Sequence, residues 1–289
     1  MRKRSLLLMA GLVLAALLLS AAVLLQEELN PDRPAKTVRL IFIHHSTGEN
    51  WLTDDYGNLG RELGRNNYYV SDTNYGWGPD GIGDRTDIPN WVEWFHSEQT
   101  PAITKALYNE TTQNSSYTRT LSNPGGENEV ILFKSCFPNS DLGGKSDDLP
   151  GEYEELTVGG AKYVYNEILK YFKTRPDKLF IVITAPPLSD ATNALNARAF
   201  NNWLVEDWLE ENQYTLKNVA VFDFYNVLTH KDAHHRYFNG QIEHVIKSSN
   251  TLAYPSEDDH PSKAGSQKAT EEFIPLLNIF YNRWKGITK

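Results

Sequence analysis

Cysteine is nearly absent from this chain. A single one, Cys136, among 289 residues excludes a framework of intrachain disulfides. Basic charge is scarce as well: 28 Lys and Arg stand against 37 Asp and Glu, a formal net charge of −9. Three of the cations are Arg2, Lys3 and Arg4, and no acid precedes Glu27, so the remainder is more acidic than the total. Phosphate backbones bind to basic surfaces. The acidic body therefore excludes nucleic acid as a partner and argues against docking on anionic lipid. There is no internal repeat, no low-complexity segment and only one long apolar run. What the chain does have is apolar material: 40% hydrophobic and 12% aromatic residues, enough for a packed core and too much for a disordered chain.

The one long apolar run extends from Leu6 to Leu25 behind the Arg2-Lys3-Arg4 cluster. At ~1.5 Å per residue such a run can cross a bilayer. It is also longer than the roughly 7–15-residue core of a cleavable signal. Ser20-Ala21-Ala22 offers a cleavage site, but apolar residues continue past it. The reading favours a retained anchor over a cleaved signal. The preceding cations keep the N-terminus in the cytoplasm and place the body outside. No cysteine follows the run, which excludes a lipoprotein anchor. The expected organisation is a signal or anchor segment over 1–26, a linker over 27–37 and one domain over 38–289. Location is expected in the cell envelope, or outside the cell if the segment is removed, with the membrane touched only through that segment.

Within the body, apolar strand-length runs alternate with helical patterns. Strands are expected at about 38–44, 68–73, 130–135, 179–185 and 219–224, and helices at 58–65, 152–173, 196–212 and 263–285. Ser262 is suited to cap the last of these. This alternation predicts an α/β fold: a three-layer α/β/α sandwich around a five-stranded parallel sheet, flavodoxin-like in order 2-1-3-4-5. Two connections, about 74–128 and 226–261, are too long for plain loops, and long loops in compact domains are commonly functional.

Ligands of an open parallel sheet bind beyond the carboxyl ends of its strands. The segments that follow the strands are therefore informative. His44-His45-Ser46 follows the first, Asn74-Tyr75-Gly76-Trp77-Gly78 the second and Cys136-Phe137-Pro138-Asn139 the third; Glu257-Asp258-Asp259-His260-Pro261 follows the fifth and its long loop. A hydroxyl, a glycine turn, a side-chain amide and an acid–histidine pair suit acyl transfer. Ser46 would be the nucleophile, His260 the base, and a carboxylate would orient the imidazole. The Ser46 amide, a glycine amide and Asn139 would hold the oxyanion.

In this order and placement the residues resemble the SGNH (GDSL-type) hydrolases, over roughly Val38 to the C-terminus. That family places its serine after the first strand, a glycine after the second, an asparagine after the third and a histidine before the last helix, often as Asp-x-x-His-Pro. Ser46, Asn139 and His260-Pro261 match. Gly76 and Gly78 both qualify for the glycine, with Gly76 preferred. His44-His45-Ser46 replaces the usual Gly-Asp-Ser, and Glu257 stands three before His260, where the family has aspartate. The chain is closer to an uncharacterised bacterial branch that begins with His-His-Ser and ends with Asp-x-His-Pro. Asp258 is therefore the favoured acid, with Glu257 as the fallback and Asp259 also a candidate. The resemblance implies ester hydrolysis without naming a substrate.

Trp51, Trp77, Trp91 and Trp94 lie in or beside these loops. Indoles can stack on sugar faces, so Trp51 and Trp77 are candidate substrate-binding residues; the alternative is a satellite core beneath the long loop. The same loops carry Asp54, Asp55, Asp80, Asp84, Arg85 and Asp87, which does not suit a long acyl chain. The expected activity is a serine esterase that removes short acyl groups, such as acetyl, from a carbohydrate or small ester. The alternatives are a non-catalytic glycan-binding or scaffold protein on this fold, and an acyltransferase. No cofactor or metal is expected: adjacent histidines on an extended chain point to opposite faces, so neither His44-His45 nor His234-His235 is placed to chelate one ion. One of His44 and His45 is expected instead to shape the loop beneath Ser46.

Overall fold

The computed structural model describes residues 28–151 and 156–288. The Leu6–Leu25 run lies outside them, and among the described residues no helix is long and apolar enough to cross a membrane. In chain order the elements are β1 (Val38–Ile43), α1 (Ser46–Leu52), α2 (Leu59–Arg65), β2 (Tyr68–Thr73), α3 (Trp91–Phe95), α4 (Thr100–Asn109), β3 (Val130–Lys134), α5 (Val158–Thr174), β4 (Leu179–Ile183), α6 (Ala194–Glu206), α7 (Trp208–Glu211), β5 (Val219–Phe222), α8 (Phe224–Thr229), β6 (His234–Phe238), β7 (Gln241–Val245) and α9 (Lys263–Lys285). Strands β1 to β5 form one sheet in order β2-β1-β3-β4-β5, with every neighbouring pair parallel.

Strands β3, β4 and β5 read as nearly continuous apolar runs because both faces of the sheet are covered. Successive side chains point to opposite faces. Ile41, Ile43, Ile131, Phe133, Phe180 and Val182 pack into one core with α3 to α6. Leu40, Phe42, Leu132, Ile181, Ile183 and Phe222 pack into the other with α1, α2, α8 and α9. Ile43 pairs with both Thr73 and Phe133, so β1, β2 and β3 end level with one another. The chain runs from β1 to β2 on one side and then crosses β1 to reach β3. This is the topological switch beside which open α/β sheets bind ligands.

The long connections hold more structure than the sequence reading assigned them. The first contains α3, α4 and two 3₁₀ turns, Pro79–Asp84 and Ile88–Asn90. The second contains α8 and the antiparallel hairpin β6–β7. The hairpin turns at Asn239-Gly240, both at positive φ (49° and 83°), as a two-residue hairpin turn requires. It packs against α9 and α8, and buried polar groups fix it to the end of β5. His244 Nε2 lies 2.8 Å from Asp223 Oδ2 and its Nδ1 3.3 Å from Glu206. The Asp223 amide donates to His235 Nδ1 at 2.9 Å, and His234 pairs with Glu272 at 2.7 Å.

That latch makes stability depend on pH. His235 is fully buried and its Nδ1 must keep a lone pair for the Asp223 amide. Burial, helped by the charge of nearby His244 and opposed by Asp223, lowers its pKa to about 3. An unfolded histidine takes a proton near pH ~6.5. Below that value the unfolded chain binds the extra proton, and stability is lost progressively down to the folded value. His235→Asn retains an acceptor and cannot titrate. Thermal melting between about pH 7 and 4 should therefore fall more steeply in wild type than in His235→Asn, and equal slopes would refute this reading.

Candidate active site

Ser46 stands three residues beyond β1, as the first residue of α1. The loop that carries it is held from below. His44 is buried, with Nε2 3.1 Å from Asp72 Oδ2 and Nδ1 2.9 Å from the His45 carbonyl. Asp72, at the end of β2, also accepts from Ser115 Oγ at 2.6 Å and from the Asn114 amide at 2.8 Å. Burial acts to raise the Asp72 carboxyl pKa, but His44 and these donors outweigh it and keep it low. Gly48 packs directly on His44: a Cβ there would come within 2.3 Å of the His44 Cβ. His45 points the other way, its Nε2 donating to the Gly83 carbonyl and its Nδ1 3.0 Å from Thr86 Oγ1. The two histidines thus diverge and brace the Ser46 turn from two sides. Among the described residues no group of His, Cys, Asp and Glu is arranged to hold a metal.

His260 reaches Ser46 from the loop before α9. Its Nε2 lies 2.8 Å from Ser46 Oγ. Its Nδ1 lies 2.9 and 3.0 Å from the two Asp258 oxygens. A carboxylate only accepts, so Nδ1 carries the proton and Nε2 is free to accept from the Ser46 hydroxyl. Asp258 Oδ1 also accepts from the His260 backbone amide at 2.9 Å and from Ser256 Oγ at 3.0 Å. These bonds, the His260 amide first and then its ring, draw the Asp258 pKa down to about 2. The loop is strapped in place by Tyr56, which donates to the Pro261 carbonyl at 2.9 Å, and by the edge of the Phe137 ring against the imidazole, centroids 4.8 Å apart. Of the other two candidate acids, Glu257 is exposed, and Asp259 accepts from the Ser189 amide at 2.8 Å.

The other expected site residues divide. Asn139 is buried in the 3₁₀ turn Phe137–Ser140. Its Oδ1 accepts from the Ile88 amide at 2.7 Å and its Nδ2 donates to Asp87 at 2.6 Å, which fixes the amide's orientation and leaves one N–H of the pair for another acceptor. Gly76 does not match its expected role. Its amide donates to Asp84 Oδ1 at 2.7 Å, and its positive φ of 71° serves the turn. Trp51 is a second correction. It is fully buried, stacked on Phe224 with its Nε1 on Thr270 Oγ1, and offers no face to a ligand. Trp77 is a third: it stacks on Trp94 and donates to Glu110 at 2.6 Å, within a core that includes Trp91 and Phe95.

Cys136 borders the site. Its Sγ is 3.5 Å from Ser46 Oγ and 2.9 Å from Thr47 Oγ1. Burial acts to raise the thiol's pKa, but the ammonium of fully buried Lys134 and the hydroxyls of Thr47 and Ser46 hold it below the usual range. The available signal was Lys134 itself, a charge that closes the apolar run of β3 and is carried into the buried sheet.

No protein-family model matches the chain, and no curated protein matches it. Solved structures that resemble it do so weakly, and two of them illustrate this. A carbohydrate esterase with divergent catalytic and non-catalytic binding functions is 14% identical, with 87% of this chain and 68% of that one covered, at a TM-score of 0.40. Another structure is 12% identical, with 88% of this chain and 98% of that one covered, at a TM-score of 0.37.

Proposed function

We propose that this protein is a serine hydrolase of the SGNH type that removes short acyl groups from a polar, carbohydrate-like ester. The observation that carries the reading is the unbroken chain of hydrogen bonds from Asp258 through His260 to Ser46 Oγ. It sits beyond the carboxyl ends of the strands, at the switch between β2 and β3. Ser46 attacks the ester carbonyl as His260 Nε2 takes its proton. Asp258 keeps the other imidazole proton on Nδ1 and stabilises the imidazolium that forms. The same proton then passes to the leaving alcohol, and water activated by His260 releases the acyl group. The Ser46 amide and the remaining N–H of Asn139 hold the oxyanion. The first amides of a helix have no partner within the helix, so the Ser46 amide is suited to that work.

A polar cavity supports the substrate class. It measures about 310 Å³ and is lined by Ser140, Asp141, Asp190, Thr192, Asn193 and Asn250 among others. The turn 137–140 links it to the site: Cys136 and Phe137 contact Ser46 and His260, and Ser140 faces the cavity. Carboxylates and amides there match hydroxyls better than an acyl chain. Aryl esters of increasing acyl length, alongside acetylated sugars, test the reading. Acetyl esters should turn over fastest. A preference for long chains would contradict the substrate class, and no turnover of any ester would contradict the chemistry. The Leu6–Leu25 run is proposed to hold the domain outside the cytoplasm. Intact-mass measurement of the native protein decides between an anchor and a cleaved signal, the latter giving an N-terminus near Val23.

A further inference from the structure

The turn after β2 is where an amide donor to the oxyanion was expected, and the amides of Tyr75, Gly76 and Trp77 are already bonded. The Tyr75 amide donates to Asn74 Oδ1 at 3.0 Å, the Gly76 amide to Asp84 Oδ1 at 2.7 Å and the Trp77 amide to the Asn74 carbonyl at 3.1 Å. Asn74 is itself fixed, its Nδ2 donating to Glu49 Oε2 on α1 at 3.1 Å. Turning Gly76 toward a substrate would break the Asp84 bond and leave a carboxylate beside the developing negative charge. The same turn nevertheless presents a donor to the site. The Tyr75 ring lies flat on His45, the residue before Ser46, with centroids 4.0 Å apart and planes 22° apart. It is 62% exposed, so it forms part of the open wall and not of the core. Its hydroxyl interacts with the Ser46 side chain and lies near Cys136.

We propose that the Tyr75 hydroxyl donates a hydrogen bond to the oxyanion, doing the work expected of the Gly76 amide. The inference rests on the serine-hydrolase reading. When Ser46 Oγ bonds to the carbonyl carbon, the negative charge on the former carbonyl oxygen is met by the Ser46 amide, the Asn139 amide and the phenol of Tyr75. Three donors from three strand ends then surround it. The phenol remains protonated throughout and transfers no proton. Partial burial and the neighbouring thiol raise its pKa above the ordinary value of 10, so it stays a donor at neutral pH. Stacking on His45 fixes the ring with little loss of freedom on binding, since a tyrosine has few rotors and here they are already set.

Tyr75→Phe tests this, because it keeps the ring and its stacking and removes one oxygen. Loss of a donor of this kind costs about 10²–10³ in kcat. The expected result is a kcat about 10²-fold lower, with KM within about threefold and an unchanged melting temperature. The rate of labelling by a fluorophosphonate, which places its phosphoryl oxygen in the same position, should fall in parallel. A merely structural role for Tyr75 would lower the melting temperature or raise KM instead. If Tyr75→Phe retains wild-type kcat while Ser46→Ala is inactive, the inference is overturned and the hydrolase reading stands. If the wild-type protein neither hydrolyses esters nor reacts with the probe, both are overturned.

Discussion

Ser46→Ala should lower kcat for a short aryl ester by about 10⁴-fold or more, and His260→Ala should cost about the same. The double variant should be little worse than either single one. That non-additivity is expected because nucleophile and base act as a unit: once Ser46 Oγ is gone, the 2.8 Å hydrogen bond to His260 has nothing to activate. Folding should be untouched, since both side chains lie at the rim of the sheet and neither belongs to its two cores. Steady-state kinetics on the three variants, with melting curves as a control, check this. Additive losses would mean that the two residues act separately.

Asp258→Asn should lower kcat by about 10²-fold or more. Asp258 accepts from both the ring and the backbone of His260, so its loss frees the imidazole to take the wrong tautomer. Its side chain is 62% exposed, and solvent already screens part of its charge. The loss should therefore fall short of the ~10⁴-fold seen when a buried triad acid is neutralised. Glu257→Gln should be near wild type, because that side chain is exposed. Asp259→Asn should be as well, because an asparagine oxygen can still accept from the Ser189 amide. Steady-state kinetics on the three variants separate them: Asp258→Asn alone should lower kcat, with KM little changed. If Glu257→Gln is the damaging change, the triad acid has been misassigned.

The fold was legible in the sequence because its sheet is buried on both faces. Strands β3, β4 and β5 accordingly show nearly unbroken apolar runs, and the expected spans 68–73 and 263–285 coincide with β2 and α9. The hairpin escaped notice for the opposite reason. His234–Phe238 and Gln241–Val245 are half-buried and polar and have no apolar alternation, which leaves Asn239-Gly240 as the one local sign. That Ser46, His260 and Asp258 would meet was legible through their position after strands and before the last helix. Asp258 was separable from its neighbours because a short side chain two residues back can reach both the amide and the ring.

The misassigned residues share a cause: nearness in sequence was taken for nearness to the site. Trp51 is five residues after Ser46, and at ~100° per residue on a helix that turns it about 140° away, into the core. Trp77 follows the β2 turn, but its indole nitrogen is committed to Glu110. Gly76 has the backbone freedom a turn requires, and the turn spends its amide on Asp84. No sequence pattern distinguishes an amide aimed at a substrate from one already bonded, because the bond depends on how the connection folds back to bring Asp84 onto Gly76.

The central claim is that Ser46 is a nucleophile activated by His260. The most direct measurement is peptide mass spectrometry after incubation with a fluorophosphonate. The account predicts one adduct, on the peptide carrying Ser46, formed rapidly in wild type and at least about 10²-fold more slowly in His260→Ala. No adduct, an adduct on another serine or on Cys136, or equal rates with and without His260 would contradict it.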